Sequence, residues 1–239
     1  MEALKRSMDR KVTNLVSPNG KRAKIANTFG LPAGKEFSCP GQTSICEKVC
    51  YAGKLEKIYK GVSTTLLHNW NLLRDADMGT MVDLLADMID EFRNDCDKHD
   101  AEKLFRIHWD GDFFNDTYVS AWASVIEGNP DIQFWTYTRT ESAARALVGI
   151  PNLALYFSAD SENMATAVEL AKIDVKLAYL SDTFEQGLSI IRNISESRSV
   201  KCPENAKRIP LISERGSACV TCALCVHGKA NVVFSSSKK

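Results

Sequence analysis

The stretch LFRIHWDGDFFNDTYVSAWASVIEGNPDIQFWTYTRT, residues 104–140, decides the fold. Leu104 to Trp109 is a short apolar run that predicts a strand, and Asp116 to Glu127 reads as a helix. Gly128-Asn129-Pro130 ends that helix, and Ile132 to Thr138 predicts the next strand. The alternation continues with a helix from Glu141 to Val148, a strand from Leu153 to Ser158 and a helix from Glu162 to Lys172. A strand from Val175 to Leu180 and a helix from Thr183 to about Ser195 complete the series. Asp116 and Ser161 read as helix caps. Strands this short, separated by helices of this length, pair in parallel through βαβ crossovers. The expected fold is α/β, a partial or open (β/α) barrel of parallel strands. A flat, doubly wound sheet is the alternative, because local pattern does not distinguish closure.

Upstream, the Gly/Pro-rich segment Gly30 to Gly41 reads as a loop, followed by a helix over Leu55 to Ala76. A second helix starts near Thr80 and places Met81, Leu85, Met88, Phe92 and Cys96 on one face. The reading divides the chain into a basic N-terminal segment (1–30), a (β/α) barrel-like domain (31–200) and a cysteine-rich C-terminal segment (201–239).

The chain has 239 residues, 44% hydrophobic and 25% charged, which suits an ordinary globular domain. It contains no apolar run of the roughly 18 residues that a membrane-spanning helix needs, so no membrane association is expected. Met1 to Asn14 lacks the apolar stretch of a signal peptide, and the expected location is the cytoplasm. Net charge is zero, which argues against a strongly basic binder of duplex nucleic acid. Lys5, Arg6, Arg10, Lys11, Lys21, Arg22 and Lys24 nevertheless make a basic N-terminal arm. That arm is either a phosphate contact or a solvated terminus.

Polar residues collect just after the strands: Asp110-Gly111-Asp112, Thr138-Arg139-Thr140 and Ser158-Ala159-Asp160-Ser161. Parallel α/β folds bind ligands at the carboxyl ends of their strands, so Asp110, Asp112, Ser158 and Asp160 are candidate pocket residues. Helix capping is the plainer account of the same residue types. His108, at a strand end, reads either as an acid–base or substrate group at the barrel mouth or as a core histidine. Arg106 and Arg139 stand in apolar company and need anionic partners, either a ligand or Asp110 and Asp160.

Eight cysteines in a reducing compartment point to metal or catalysis rather than disulfides. Seven fall in two groups, read as lying at opposite ends of the domain. Cys219, Cys222 and Cys225 form a C-x2-C-x2-C run, and Cys202-Pro203 adds a fourth cysteine upstream. That spacing suits an iron–sulfur cluster, where a short loop offers three thiolates to three irons. Zinc sites more often join two C-x2-C knuckles. Cys39, Cys46 and Cys50 form the other group, and three ligands without a fourth suggest a cluster with one open iron. Cys96, on the apolar stripe, reads as a buried inert thiol.

Ser38-Cys39-Pro40-Gly41, Cys46, Cys50-Tyr51-Ala52, Asp110-Gly111-Asp112-Phe113-Phe114 and Phe134-Trp135-Thr136-Tyr137-Thr138-Arg139, with Cys202-Pro203 and the Cys219/Cys222/Cys225 run, resemble the bacteriophage "gene product 88" domain family. More remotely, a cysteine triad ending in Cys-Tyr-Ala ahead of βα units looks like the radical S-adenosylmethionine enzymes. Here the spacing is C-x6-C-x3-C instead of the usual C-x3-C-x2-C, and no Gly-Gly-Glu follows. The remote likeness implies two 4Fe–4S clusters. Cys39, Cys46 and Cys50 would hold the first, whose open iron would chelate S-adenosylmethionine and generate a 5′-deoxyadenosyl radical. It also implies that Asp110-Gly111-Asp112 binds the methionine amine, that Ser158 and Asp160 lie near the ribose, and that the C-terminal cysteines hold an auxiliary cluster.

Three functions follow as expectations. The first is a radical enzyme acting on a small molecule, a modified nucleotide or a DNA base, for example an isomerase rearranging an amino-acid-modified thymine, with flavodoxin or ferredoxin as electron donor. The second is a non-catalytic iron–sulfur redox or regulatory protein. The third is a zinc-binding nucleic-acid module.

Overall fold

Seven parallel strands frame the chain in a computed structural model, which describes residues 2–237. The N-terminal part supplies β1 (Asn14–Val16), β2 (Arg22–Lys24), β3 (Thr28–Gly30), α1 (Ser44–Val49), α2 (Tyr51–Ile58), α3 (Lys60–Leu73) and α4 (Met78–His99). The alternating part follows as β4 (Leu104–Asp110), α5 (Asp116–Glu127), β5 (Gln133–Thr138), α6 (Glu141–Leu147), β6 (Leu153–Ala159), α7 (Met164–Ala171), β7 (Lys176–Ser181) and α8 (Phe184–Ile194). The chain closes with β8 (Ser199–Lys201), β9 (Ile212–Ser213), β10 (Gly216–Ser217), α9 (Ala218–Cys222) and β11 (Asn231–Ser235).

Strand order in the main sheet is β3-β4-β5-β6-β7-β11-β8, with every neighbouring pair parallel. From β3 to β7 each strand lies beside its predecessor. Right-handed crossovers then put the helices joining β4 to β7 on one face, while β11 returns between β7 and β8, so the strand order reverses there. No pairing joins the outer strands β3 and β8 among the described residues, so the sheet is open. Segments from both chain termini enter it, through β3 on one side and β11 and β8 on the other.

The helix-covered face is the core. Phe105, Ile107, Phe134, Leu155, Phe157 and Leu177 are buried there with Phe92 of α4 and Trp122 of α5. Cys96 lies on the same buried stripe of α4 as Met81, Leu85, Met88 and Phe92, as its spacing predicts. Burial pushes its thiol up to about 12, so it is inert at neutral pH.

Local details differ from expectation in two places. The single helix read over Leu55 to Ala76 is two helices, because Tyr59 adopts an extended backbone (φ −113°, ψ 101°) between α2 and α3. The caps also shift. Asn115, not Asp116, caps α5 by accepting the Tyr118 N–H at 2.8 Å, and α7 begins after Asn163 rather than after Ser161.

Candidate metal centre

The first cysteine group is built on the carboxyl ends of β4 and β5. Leaving β3, the chain turns so that the Ser38 hydroxyl donates to the Pro32 carbonyl (2.7 Å) and accepts the Asp112 N–H (3.2 Å). This stitches Cys39 to the Asp110-Gly111-Asp112 turn. Gly111 has φ +80°, and a Cβ there would lie 2.5 Å from the Ser38 hydroxyl, so the turn requires glycine. Gly41 packs as closely on β5, since a Cβ would lie 2.3 Å from the Arg139 carbonyl oxygen.

Helix starts then place the other two thiols. The Thr43 hydroxyl caps α1 by accepting the Cys46 N–H at 3.0 Å. The Cys50 sulfur itself caps α2, accepting the Gly53 N–H at 3.3 Å. Cys39 faces Asp112 and Asp110, Cys46 faces Arg139 and Cys50, and Cys50 faces Asp110 and Glu56. Burial is the largest cause raising all three thiols above their ordinary range, and the carboxylates add to it. Thiolates form here only if a cation enters.

The two aspartates of the turn do different work. Asp112 is a structural hub. Its carboxylate accepts the Thr138 hydroxyl (2.6 Å), the Arg139 N–H (2.7 Å) and the Phe113 N–H (2.7 Å), tying the end of β4 to the end of β5. Burial pushes it up to about 6 against those hydrogen bonds. Asp110 is 3% exposed; its Oδ1 accepts the Gly111 N–H at 2.9 Å, and its Oδ2 has no partner. Burial and the neighbouring Glu56 carboxyl hold Asp110 well above the usual carboxylate range. The site therefore gathers Cys39, Cys50 and Glu56 around Asp110, with the Arg106 guanidinium also acting on that carboxyl and a second guanidinium beside Cys46.

That second guanidinium belongs to Arg139 and is already committed. Its Nη1 pairs with Asp160 Oδ2 at 2.7 Å, and the Thr43 hydroxyl donates to the same oxygen at 2.7 Å. Asp160 thus anchors the cysteine loop, through the Arg139–Asp160 pairing that the sequence offered beside the ligand reading. Glu162 reinforces the anchor by accepting the Ser44 N–H at 2.8 Å and bonding the Ser44 hydroxyl. Ser158 is half-buried on the face of β6 shared with Tyr156. Its hydroxyl makes no hydrogen bond among the described residues.

His108 is not at the strand-end mouth. Two residues of β3 span four of β4 at this point, and His108 takes a left-handed backbone (φ 59°). The irregularity turns its ring to the helix face, against Phe113 and Phe29 and 3.0 Å from the Tyr118 hydroxyl. Burial, with Arg106 nearby, lowers it to about 3, so it is neutral and enclosed at physiological pH.

The second cysteine group covers the helix-free face. Cys202 follows β8, Cys219 and Cys222 lie in α9, and Cys225 follows. Cys219 and Cys225 face each other and Cys202, and Cys225 also faces Cys222. A row of sheet side chains lies beneath. The Arg106 guanidinium carbon is 5.5 Å from the Tyr137 ring centre, and Tyr137 stands 5.4 Å from Tyr156, ring to ring. The Tyr137 hydroxyl lies against Cys225, and the Tyr156 hydroxyl donates to the Ala230 carbonyl at 3.0 Å. The N-terminal arm closes the site, with the Cys219 N–H donating to the Lys11 carbonyl at 2.9 Å. Burial pushes Cys219 and Cys225 up to about 12.

The two groups are not at opposite ends. Tyr51, next to Cys50, donates to the Trp109 carbonyl at 3.2 Å and touches Arg106, which also faces Cys219.

No group of three or more His, Cys, Asp or Glu side chains converges closely enough for a single metal ion among the described residues. Tetrahedral zinc with bonds of about 2.3 Å would draw its sulfurs to within roughly 4 Å of one another. A cubane cluster binds each thiolate through a different iron, so its ligands surround a larger volume, and all seven thiols are reduced and partly exposed. The donor chemistry of both groups fits such a cluster. Sequence reading missed Glu56, Thr43, Lys11 and Tyr137 as members of these sites. Only Tyr137 carried a signal, as a strand residue two positions from Arg139.

The Gene product 88 family profile matches residues 2–228. The Gene 88 protein of Mycobacterium phage L5 is 54% identical over 244 residues, and that of Mycobacterium phage D29 is 52% identical over 245. Each match covers 100% of this chain and 100% of the relative. No solved structure matches the chain.

Proposed function

The chain belongs to the gene product 88 family, and from that premise we propose that it is an iron–sulfur enzyme of the radical S-adenosylmethionine type. The observation that carries this reading is the Asp110 carboxyl, buried against the Glu56 carboxyl and beside Cys39 and Cys50 at the carboxyl end of a parallel sheet. Such a concentration of acids is unfavourable unless positive charge is added. A 4Fe–4S cluster on Cys39, Cys46 and Cys50 would add no net positive charge, because its core is outweighed by the three thiolates, so the counter-charge would come from a cationic ligand. The cluster would supply the electron for reductive cleavage of a sulfonium.

S-adenosylmethionine is itself cationic at its ammonium and sulfonium groups. Asp110 would accept the ammonium through its free oxygen. Asp112 would not touch the ligand, because it holds the strand ends on which Asp110 and Arg139 stand. The Arg139–Asp160–Thr43 anchor would keep Cys46 fixed over the sheet, and Ser158 would offer a hydroxyl on the same side. Cys202, Cys219, Cys222 and Cys225 would hold a second, fully ligated 4Fe–4S cluster. The relatives are mycobacteriophage proteins, which favours a nucleotide or a DNA base as substrate, such as an amino-acid-modified thymine, in the host cytoplasm. An electron donor such as flavodoxin or ferredoxin would be required.

Electron paramagnetic resonance of the anaerobically purified, reduced protein tests the reading. S-adenosylmethionine should perturb one of two cluster signals, and that signal should be absent in a Cys46→Ala variant. Two signals that both ignore S-adenosylmethionine would instead support a non-catalytic redox protein, and zinc in place of iron would support a binding module.

A further inference from the structure

The two cysteine groups share a wall but sit in opposite electrostatic surroundings. Around the N-terminal group, the strongest outside charges on Cys39 and Cys50 are Asp112, Asp110 and Glu56, the cation at Cys46 is Arg139, paired to Asp160, and Arg106 reaches this group only through Asp110. Around the C-terminal group, the strongest outside charges on Cys219 are Arg106 and Lys11, and Arg106 also acts on Cys225. Glu204 faces Cys202 together with Lys11, whose ammonium it pairs at 2.9 Å.

Arg106 is placed for this task in an unusual way. It stands on a central strand, and its side chain is only 12% exposed. One Nη reaches Asp9 at 2.8 Å, on the N-terminal arm, while Nε is buried without a partner. The guanidinium lies over Tyr137, whose hydroxyl meets Cys225. A salt bridge alone would not need a strand arginine directed toward Cys219 and Cys225.

We infer that Arg106 makes the C-terminal cluster the more easily reduced of the two, so that this cluster takes electrons in preference to the N-terminal one. The inference rests on both sites holding iron–sulfur clusters. Adding an electron is assisted by nearby positive charge and opposed by carboxylates, and in a poorly solvated site one charge weighs heavily. Tyr51 and Tyr137, both touching Arg106, occupy the space between the sites.

The test is a redox titration followed by electron paramagnetic resonance on the full-length, cluster-loaded protein. A Cys222→Ser variant assigns the C-terminal signal. In wild type that signal should have the higher midpoint. The paired variant Arg106→Gln/Asp9→Asn takes away one positive and one negative charge and should shift the midpoint less than Arg106→Gln, which removes the guanidinium alone. The single variant should lower the C-terminal midpoint, changing the reduced-to-oxidised ratio at the wild-type midpoint on the order of tenfold, and leave the N-terminal midpoint in place. Arg106→Lys should keep most of the effect. Lys11→Gln, at a partly exposed position, gives a smaller shift in the same direction and keeps the test open if the Arg106 variants do not fold. A C-terminal midpoint below the N-terminal one, or one unmoved in these variants, would overturn the inference while leaving the proposed function intact. A protein without iron would overturn both.

Discussion

Arg139 Nη1 and Asp160 Oδ2 meet at 2.7 Å, with the arginine side chain 10% exposed and the aspartate fully buried. This pair binds the end of β5 to the turn after β6. Through Thr43, it also binds both to the loop that carries Cys46. Breaking it by Asp160→Ala leaves a buried guanidinium uncompensated and should cost about 3–5 kcal/mol. Urea unfolding measures the loss. Iron should fall at the N-terminal site and persist at the C-terminal one, so an unchanged unfolding midpoint with full iron would refute the anchoring role.

The two aspartates of the turn should separate cleanly on mutation. Asp112→Ala removes the acceptor of three hydrogen bonds and should destabilise by about 2–4 kcal/mol. Asp110→Asn keeps an oxygen to accept the Gly111 N–H and should stay within about 1 kcal/mol of wild type. It should nevertheless weaken binding of S-adenosylmethionine, measured by calorimetry on the loaded protein. Equal losses of stability in the two variants would contradict the division of roles.

His108 predicts an acid sensitivity. It is lowered to about 3 in the folded state, whereas an exposed histidine titrates near 6.5. The unfolded chain therefore binds the extra proton throughout that window, and stability falls as pH drops from about 6.5 toward 3. Between pH 6.5 and 5 the loss is about 2 kcal/mol from this group alone. His108→Gln should flatten that slope in thermal unfolding curves. The same slope in the variant as in wild type would show that the ring is not held neutral.

Two glycines make a paired control on the geometry of the turn. Gly111→Ala forces a side chain into a left-handed backbone and onto Ser38, and should cost about 1–3 kcal/mol along with iron at the N-terminal site. Gly61, exposed near the start of α3 with nothing within 4 Å of a Cβ, should tolerate alanine and gain about 0.5–1 kcal/mol. Circular dichroism melts of the two variants should move in opposite directions.

The alternating middle of the chain was legible because its signals are local. β4 to β7 and α5 to α8 each bury an apolar run or stripe. The sheet's outer members were not legible. β3 and β8 have three residues each, and β11 inserts between β7 and β8 through partners far away in sequence. The strand-end aspartates stood out as a site, but which of them keeps a free oxygen depends on Thr138 and Arg139 of the next strand. The bulge that turns His108 away is set by pairing with β3, and Glu56 joins Asp110 only after α2 has docked. No spacing rule encodes such contacts.

Iron and acid-labile sulfide per chain, measured on anaerobically purified wild-type, Cys46→Ala and Cys222→Ala proteins, test the central claim most directly. Two 4Fe–4S clusters require about eight iron and eight sulfide in wild type, and each variant should lose about half. Stoichiometric zinc without sulfide, or no metal in protein prepared with excess iron and sulfide, would contradict it.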